Sequence, residues 1–232
     1  MQSTLRNFLI FINFAVIILL SIKSRANVRR YKMGNTIFRR PFNIELTGTP
    51  EAGKTTQFKR ISEQLQNEGF DVLTIRESAE IVPSCFQKGS ADAHRWMGLQ
   101  TFQSLLSANA SDSDIVIIDR GFVDRMIWQE IFLSDGKITQ VEVDGLKLYF
   151  NNFIPKPDIL FVFSIPPGLS IKRRGGEGRI TTESFVSNYN SHVQNFLSDY
   201  GGRVCNVDAS LSINEVSQIL MDNIHQSLSK FN

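Results

Sequence analysis

Cysteine is scarce in this chain. Cys85 and Cys205 are the only two among 232 residues, and they share no metal-ligand spacing with His94, His192 or His225. That excludes a disulfide framework and a zinc finger, and both thiols are expected to be reduced and buried, as in a cytoplasmic protein. Acid is missing altogether from residues 1–40, which hold eight Lys or Arg. From Pro41 onward seventeen bases face twenty-three acids, so the body of the chain is net negative. This balance excludes a surface built to coat nucleic acid, which needs a basic face. Internal repeats and low-complexity stretches are also absent, and the length is too small for two full-sized catalytic domains. The expected division is a leader over residues 1–40 and one domain over residues 41–232.

The leader lacks a full membrane span. Residues 8–22 are apolar over fifteen positions, short of the roughly twenty that a spanning helix usually needs. Lys23, Arg25, Arg29, Arg30 and Lys32 follow the run, whereas only Arg6 and the terminal amine precede it. A membrane attachment through residues 8–22 therefore leaves the downstream domain on the cytoplasmic side. No small-x-small cleavage site separates the run from Lys23, so a removable secretory peptide is not expected. Met33-Gly34 does not complete a myristoylation signal, because Phe38 stands where Ser or Thr is needed. Met33 itself offers a second start, which would make residues 1–32 a dispensable leader. Anchor and leader are both open readings.

What the chain does contain is a phosphate loop. Gly48-Thr49-Pro50-Glu51-Ala52-Gly53-Lys54-Thr55 fits G-x-x-x-x-G-K-[ST] at every fixed position and follows the strand-like residues 42–46. The two glycines let successive backbone N–H groups point at phosphate oxygens, Lys54 adds a point charge, and the Thr55 hydroxyl can ligate Mg²⁺. From Thr56 onward, Phe58, Ile61 and Leu65 share a helical face, so the loop opens into a helix N-terminus that favours an anion. A bound nucleoside triphosphate is the reading this context supports, against a chance Gly-rich turn.

The remaining pattern alternates strands with helices. Strands are expected at residues 70–75, 114–119, 157–165 and 203–208, with helices over 95–110 and 213–228. Residues 134–144, with Asp135-Gly136 and Asp144-Gly145, read as a turn-rich excursion and a small hairpin. Five strands in this order predict an α/β fold, a parallel sheet with helices on both faces and ligands at the strands' carboxyl ends. No Asn-Lys-x-Asp element follows the fourth strand, which disfavours a guanine-specific GTPase.

Candidate chemistry clusters just beyond those strand ends. Asp119 stands where a carboxylate holds Mg²⁺ directly or through water, with a helix N-cap as its alternative. Arg120 offers paired donors to an acceptor phosphate or to developing charge, unless it is spent in a surface ion pair. Glu77 is placed to accept a proton from an acceptor hydroxyl or to orient a sugar, or is a solvated strand-end acid. Lys172-Arg173-Arg174-Gly175-Gly176-Glu177-Gly178-Arg179 sets four cations among three glycines, suiting a flap over phosphates or simply a basic loop.

Gly48 to Thr56, residues 74–77, Asp119-Arg120-Gly121, the Pro-containing turn before Arg173 and the closing stretch 207–216 fall in the order found in thymidylate kinases. The chain resembles that family over about residues 42–228 and, with it, the three-layer fold of P-loop NTPases. The resemblance implies that Lys54, Thr55, Asp119, Arg173 and Arg179 handle ATP, Mg²⁺ and the transferred phosphoryl group, while Arg76, Glu77 and Arg120 face the acceptor. Departures gather on the acceptor side. Ser78-Ala79-Glu80 replaces Pro-Gly-Gly, Pro50 replaces an acid, Gly121 replaces an aromatic, and Gln100 and Gln103 stand on the helix where an Arg is expected. Asp119-Arg120-Gly121 with Asp124 is also similar to a broader set of thymidylate-kinase-like ATPases, and Gln100 or Gln103 resembles the amide contacts to a base in deoxynucleoside kinases.

The function expected is phosphoryl transfer from ATP to a nucleoside monophosphate or a nucleoside, by positioning and charge neutralisation. The alternative is a nucleotide-dependent switch or ATPase without a small-molecule acceptor. A homodimer is compatible with the sequence, which does not set the oligomeric state.

Overall fold

A computed structural model describes residues 31–33, 36–38, 40–175 and 182–230. A short antiparallel hairpin, β1 (Tyr31–Met33) and β2 (Thr36–Phe38), precedes the main sheet. That sheet consists of β3 (Phe42–Gly48), β4 (Val72–Ile75), β5 (Ile115–Asp119), β6 (Ile159–Ser164) and β7 (Val204–Asp208). Its order is β4-β5-β3-β6-β7, parallel throughout. The helices are α1 (Lys54–Asn67), α2 (Ala91–Asn109), α3 (Phe122–Ser134), α4 (Gln140–Phe153), α5 (Pro167–Arg174), α6 (Glu183–Ser198) and α7 (Ile213–Leu228).

Strand alternation sorts the core into two layers. Ile44, Leu46, Ile117, Phe161 and Phe163 pack against Phe58, Ile61 and Leu65 of α1 and Leu220 and Ile224 of α7. On the other face Val116, Ile118, Leu160 and Val162 meet Val123, Met126 and Ile127 of α3, with Phe150 of α4 and Tyr189 of α6. The expected three-layer architecture is present. β3 departs from a uniformly apolar central strand, because Asn43, Glu45 and Thr47, which alternate with Phe42, Ile44 and Leu46, are polar and buried. Helix α1 leaves β3 toward one face and α3 leaves β5 toward the other, which opens a crevice at the carboxyl ends of these adjacent strands.

Several boundaries differ from the sequence reading. Helix α2 begins at Ala91, four residues early, because Ser90 caps it by accepting the Ala93 N–H at 3.2 Å. The hairpin expected at 134–144 does not form. Asp135-Gly136 ends α3, and Thr139 with Glu142 makes a capping box that starts α4, whose Val143 and Phe150 are buried. That Thr-x-x-Glu signal and the apolar face behind it outweigh the two Asp-Gly pairs. Cys85 is exposed and Cys205 half-buried, so the expectation of two buried thiols was wrong. No helix among the described residues is long and apolar enough to cross a membrane, and residues 8–22 lie outside the described residues. Arg40 grips Asp158 with two bonds of 2.9 and 2.7 Å, joining the segment before β3 to the approach of β6.

Gly48 fixes how closely the phosphate loop approaches β6. Its φ is +116, and a Cβ there would sit 2.1 Å from the Phe163 carbonyl oxygen. Gly48→Ala is expected to cost more than about 3 kcal/mol. Gly136→Ala, at φ +66 with nothing within 4 Å, should cost about 1–2 kcal/mol. Thermal unfolding of both variants checks this, and equal losses would contradict it.

Candidate active site

The phosphate loop is pinned from three sides. The Thr49 N–H donates to the Phe163 carbonyl at 2.8 Å, the Thr49 hydroxyl to Asn190 Oδ1 at 2.8 Å, and the Ser170 hydroxyl to the Pro50 carbonyl at 2.9 Å. Gly53 takes φ +80, and Glu51, although not glycine, is held at φ 58. Such backbone strain collects where the surroundings over-determine a functional loop. Thr49, Pro50, Ala52 and Lys54 are buried, whereas Glu51, Gly53, Thr55 and Thr56 are exposed. Lys54 Nζ folds back onto the loop, donating to the Gly48 carbonyl at 3.0 Å and the Thr49 carbonyl at 2.7 Å. Burial first, and then the neighbouring Arg120, push its pKa down to about 7.

Thr55 Oγ1 donates to Asp119 Oδ2 at 2.7 Å, joining the first turn of α1 to the end of β5. Asp119 is buried and its other oxygen, Oδ1, has no partner. Burial raises the Asp119 pKa. A hydroxyl beside a carboxylate with one orphaned oxygen fits Mg²⁺, a hard ion that commonly takes one or two protein ligands and completes its shell with phosphate and water. The N-cap of α3 is Gly121, so Asp119 does not serve that role.

Arg120, the second non-glycine residue with positive φ (60), is half-buried between acids. Its Nε lies 3.1 Å from Glu77 Oε2 and its Nη1 2.8 Å from Asp124 Oδ1. Asp124 has no exposed surface and also accepts from the Thr47 hydroxyl at 3.2 Å, the Tyr189 hydroxyl at 3.0 Å and Arg125 Nη2 at 3.0 Å. Burial opposes its ionisation, but Arg120 and then Arg125 hold its pKa below the usual carboxylate value. Glu45 supports the same segment from β3. Its Oε1 accepts the N–H groups of Gly121, Val123 and Asp124 at 3.0, 2.9 and 3.1 Å, at the N-terminus of α3. Burial nonetheless pushes the Glu45 pKa up to about 8.

The structure thus brings Lys54, Thr55, Glu77, Asp119 and Arg120 together at the carboxyl ends of β3, β4 and β5. Arg173 is exposed on α5 and its Nη1 approaches the Glu51 carbonyl at 3.4 Å, while Arg174 Nη1 pairs with Glu51 Oε1 at 3.1 Å. Arg179 lies outside the described residues. Arg76 and Gln103 are exposed and Gln100 half-buried. Sequence reasoning missed Glu45, Thr47, Arg125 and Tyr189, and met Asp124 only through the resemblance. The available signal was the period-two alternation Asn43, Glu45, Thr47, which marks a polar strand face inside a sheet covered on both sides.

The Thymidylate kinase family profile matches residues 46–219. A probable thymidylate kinase of Methanobrevibacter smithii is 24% identical over 187 residues, covering 75% of this chain and 89% of that protein. A thymidylate kinase of Rhodopirellula baltica is 27% identical over 198 residues, covering 76% and 77% respectively. Among solved structures, deoxyadenosine kinase from M. mycoides with bound dATP superposes with a TM-score of 0.62 at 21% identity, covering 79% of this chain and 99% of that one. This last likeness carries the fold.

Glu45 generates a pH prediction. With a folded pKa of about 8 against an ordinary 4.5, the folded state holds a proton that the unfolded state releases between those values. Its contribution is full below pH 4.5 and is lost as pH rises through 8, by a few kcal/mol. Glu45→Gln mimics the neutral acid and keeps an oxygen for the three N–H groups. The variant should match the wild type near pH 5 and exceed it in stability at pH 8. Urea unfolding across this range checks it, and a difference independent of pH would show Glu45 ionised throughout.

Proposed function

Because this chain belongs to the thymidylate kinase family and is a nucleotide or nucleoside kinase, we propose that it transfers the γ-phosphoryl group of ATP, with Mg²⁺, to a nucleoside monophosphate or a nucleoside. The observation carrying this reading is the Thr55–Asp119 hydrogen bond, which sets a hydroxyl and a half-satisfied carboxylate beside the phosphate loop. Thr55 and Asp119 would hold the metal ion, which when bound neutralises charge on the phosphate oxygens. Residues 41–232 form the kinase domain in this reading, acting on the cytoplasmic side.

The chain's own groups account for the transfer. The acceptor oxygen attacks the γ-phosphorus; a new oxygen–phosphorus bond forms as the bond to the bridging oxygen breaks, and ADP leaves with the electron pair. Lys54 exchanges its two loop carbonyls for phosphate oxygens, and the N-terminus of α1 faces the same charge. Arg120 presents its guanidinium between the loop and Glu77, where charge spreads over the transferring group. Glu77 accepts the proton when the acceptor is a nucleoside hydroxyl. With a monophosphate acceptor the attacking oxygen is already ionised, and Glu77 serves to hold Arg120. Arg173 and Arg179 supply positive charge from the α5 side.

Lys54→Ala should lower acceptor-dependent ADP release by at least about 10³-fold while the protein stays folded by circular dichroism. Undiminished turnover in this variant would refute the assignment. In the wild type, ADP release that no acceptor stimulates would mark a nucleotide-driven switch instead.

A further inference from the structure

Lys54 and Arg120, the two cations assigned to the transfer, stand beyond the paired strand ends, so sheet register alone does not place them. Lys54 opens α1 and Arg120 follows β5. Each is held by an oxygen that is in turn held by α6. Lys54 Nζ donates to the Thr49 carbonyl at 2.7 Å, and the Thr49 hydroxyl donates to Asn190 Oδ1 at 2.8 Å. Arg120 Nη1 pairs with Asp124 Oδ1 at 2.8 Å, and the Tyr189 hydroxyl donates to that same oxygen at 3.0 Å. Neighbouring residues of one helix therefore reach both sides of the site. Successive residues stand about 100° apart around a helix, which lets Tyr189 meet α3 while Asn190 meets the phosphate loop.

Helix α6 is seated firmly enough to serve as a reference for both. Val186, Tyr189 and Val193, spaced three and four residues apart, form its buried stripe. The Tyr189 ring packs against Trp128 of α3 with centroids 5.5 Å apart, and Thr182 caps the first turn by accepting the Phe185 N–H at 3.3 Å. Asn190 borders this stripe and is half-buried. Thr49 is 1% exposed and engages all its polar groups: its N–H on the Phe163 carbonyl, its carbonyl with Lys54 and its hydroxyl on Asn190. Bonds in three directions leave this residue one orientation, and the bond to Asn190 is the one made by its side chain.

We propose that Asn190 is a positioning residue of the transfer, orienting through Thr49 the carbonyl that holds Lys54, and that Tyr189 does the same for Arg120 through Asp124. The inference rests on the kinase reading above. Neither side chain touches phosphate in this account. Their effect falls on the geometry in which Lys54 and Arg120 meet the transferring group, where a misplacement of about 1 Å costs up to about 10²-fold in rate. Phe163 and Ser170 still pin the loop when Asn190 is lost, so the expected loss is smaller, about tenfold.

The test compares Asn190→Ala, Thr49→Val, Thr49→Ser and Tyr189→Phe in the full chain, each checked for folding by circular dichroism. ADP release is measured with deoxynucleosides and their monophosphates as acceptors, and amide exchange of residues 49–53 without nucleotide. Asn190→Ala and Thr49→Val should each lower kcat by about tenfold with little change in KM for ATP, and speed exchange in the loop by about tenfold. Combining the two should cost no more than either alone, because both remove the same bond. Thr49→Ser keeps the hydroxyl and should recover most of the loss. Tyr189→Phe should lower kcat while loop exchange stays as in the wild type, and its loss should multiply with that of Asn190→Ala. Reduced stability with kcat unchanged in Asn190→Ala would make the bond merely structural and overturn the proposal. Should Asn190→Ala fail to fold, Thr49→Val decides. The exchange measurement needs no acceptor: a wild type without acceptor-dependent ADP release refutes the kinase reading, whereas unchanged loop exchange in folded Asn190→Ala refutes this inference alone.

Discussion

The carboxylate of Asp124 joins the parts of this protein that do chemistry. It sits without solvent contact between two guanidinium groups and two hydroxyls, drawn from β3, the turn after β5, α3 and α6. A lone buried carboxylate is costly, and removing one partner from a buried charged network typically costs about 3–5 kcal/mol. The arrangement is therefore close to all-or-none: Thr47, Arg120, Arg125 and Tyr189 are each fixed by the requirement to keep Asp124 satisfied. Arg120 illustrates the consequence. Its left-handed backbone is an unfavourable state for a bulky residue, and it is maintained because the ion pairs on both sides of its guanidinium, and Glu45 beneath Gly121, hold the segment from two directions.

That constraint divides the site between two rigid units. One half is carried by β3, the phosphate loop and α1, and the other by β5 and α3. They are joined by the bond from Thr55 to Asp119, by the Thr47 hydroxyl on Asp124, and by Glu45, which accepts the N–H groups of Gly121, Val123 and Asp124. Since β3 and β5 are adjacent parallel strands in fixed register, with Leu46 opposite Asp119, the distance between the halves is set by sheet geometry. A site mounted on strand ends and helix starts in this way keeps its geometry better than one mounted on loops.

The legible and illegible parts of the sequence follow from the same physics. The phosphate loop could be read because its backbone geometry needs glycine at two fixed positions and a cation at a third. Helix α7, Ile213–Leu228, was bounded correctly because its apolar stripe begins at a capping box. Residues 134–144 misled because Asp-Gly pairs favour hairpins locally, whereas burying Val143 and Phe150 favours a helix, and burial is a tertiary fact. Glu45 escaped notice for a related reason. In a strand read as buried on both faces a single acid looks like noise, and its meaning depends on α3 arriving nose-first above it. Gln100 and Gln103 were singled out by position on α2, yet the polar residues of α2 that turn inward are His94 and Thr101. A linear reading of helix phase across Gly98 did not reveal that.

The bonds of the phosphate loop also bear on how a nucleotide enters. Lys54 gives two of its three donors to the carbonyls of Gly48 and Thr49, and Arg174 pairs with the Glu51 carboxylate, so these cations are already engaged by the loop itself. Entry is then an exchange of partners, with little new order created, because the loop is already pinned by Phe163, Asn190 and Ser170. An exchange of this kind keeps the net gain from each hydrogen bond modest, about 1 kcal/mol. It shifts selectivity toward the one thing the loop cannot offer itself, which is concentrated negative charge. Lys54, with its pKa depressed by burial to about 7, gains most from that charge, since an anion restores the protonated state that desolvation opposes. Burial thus makes the charged state of this lysine costly until an anion offsets it.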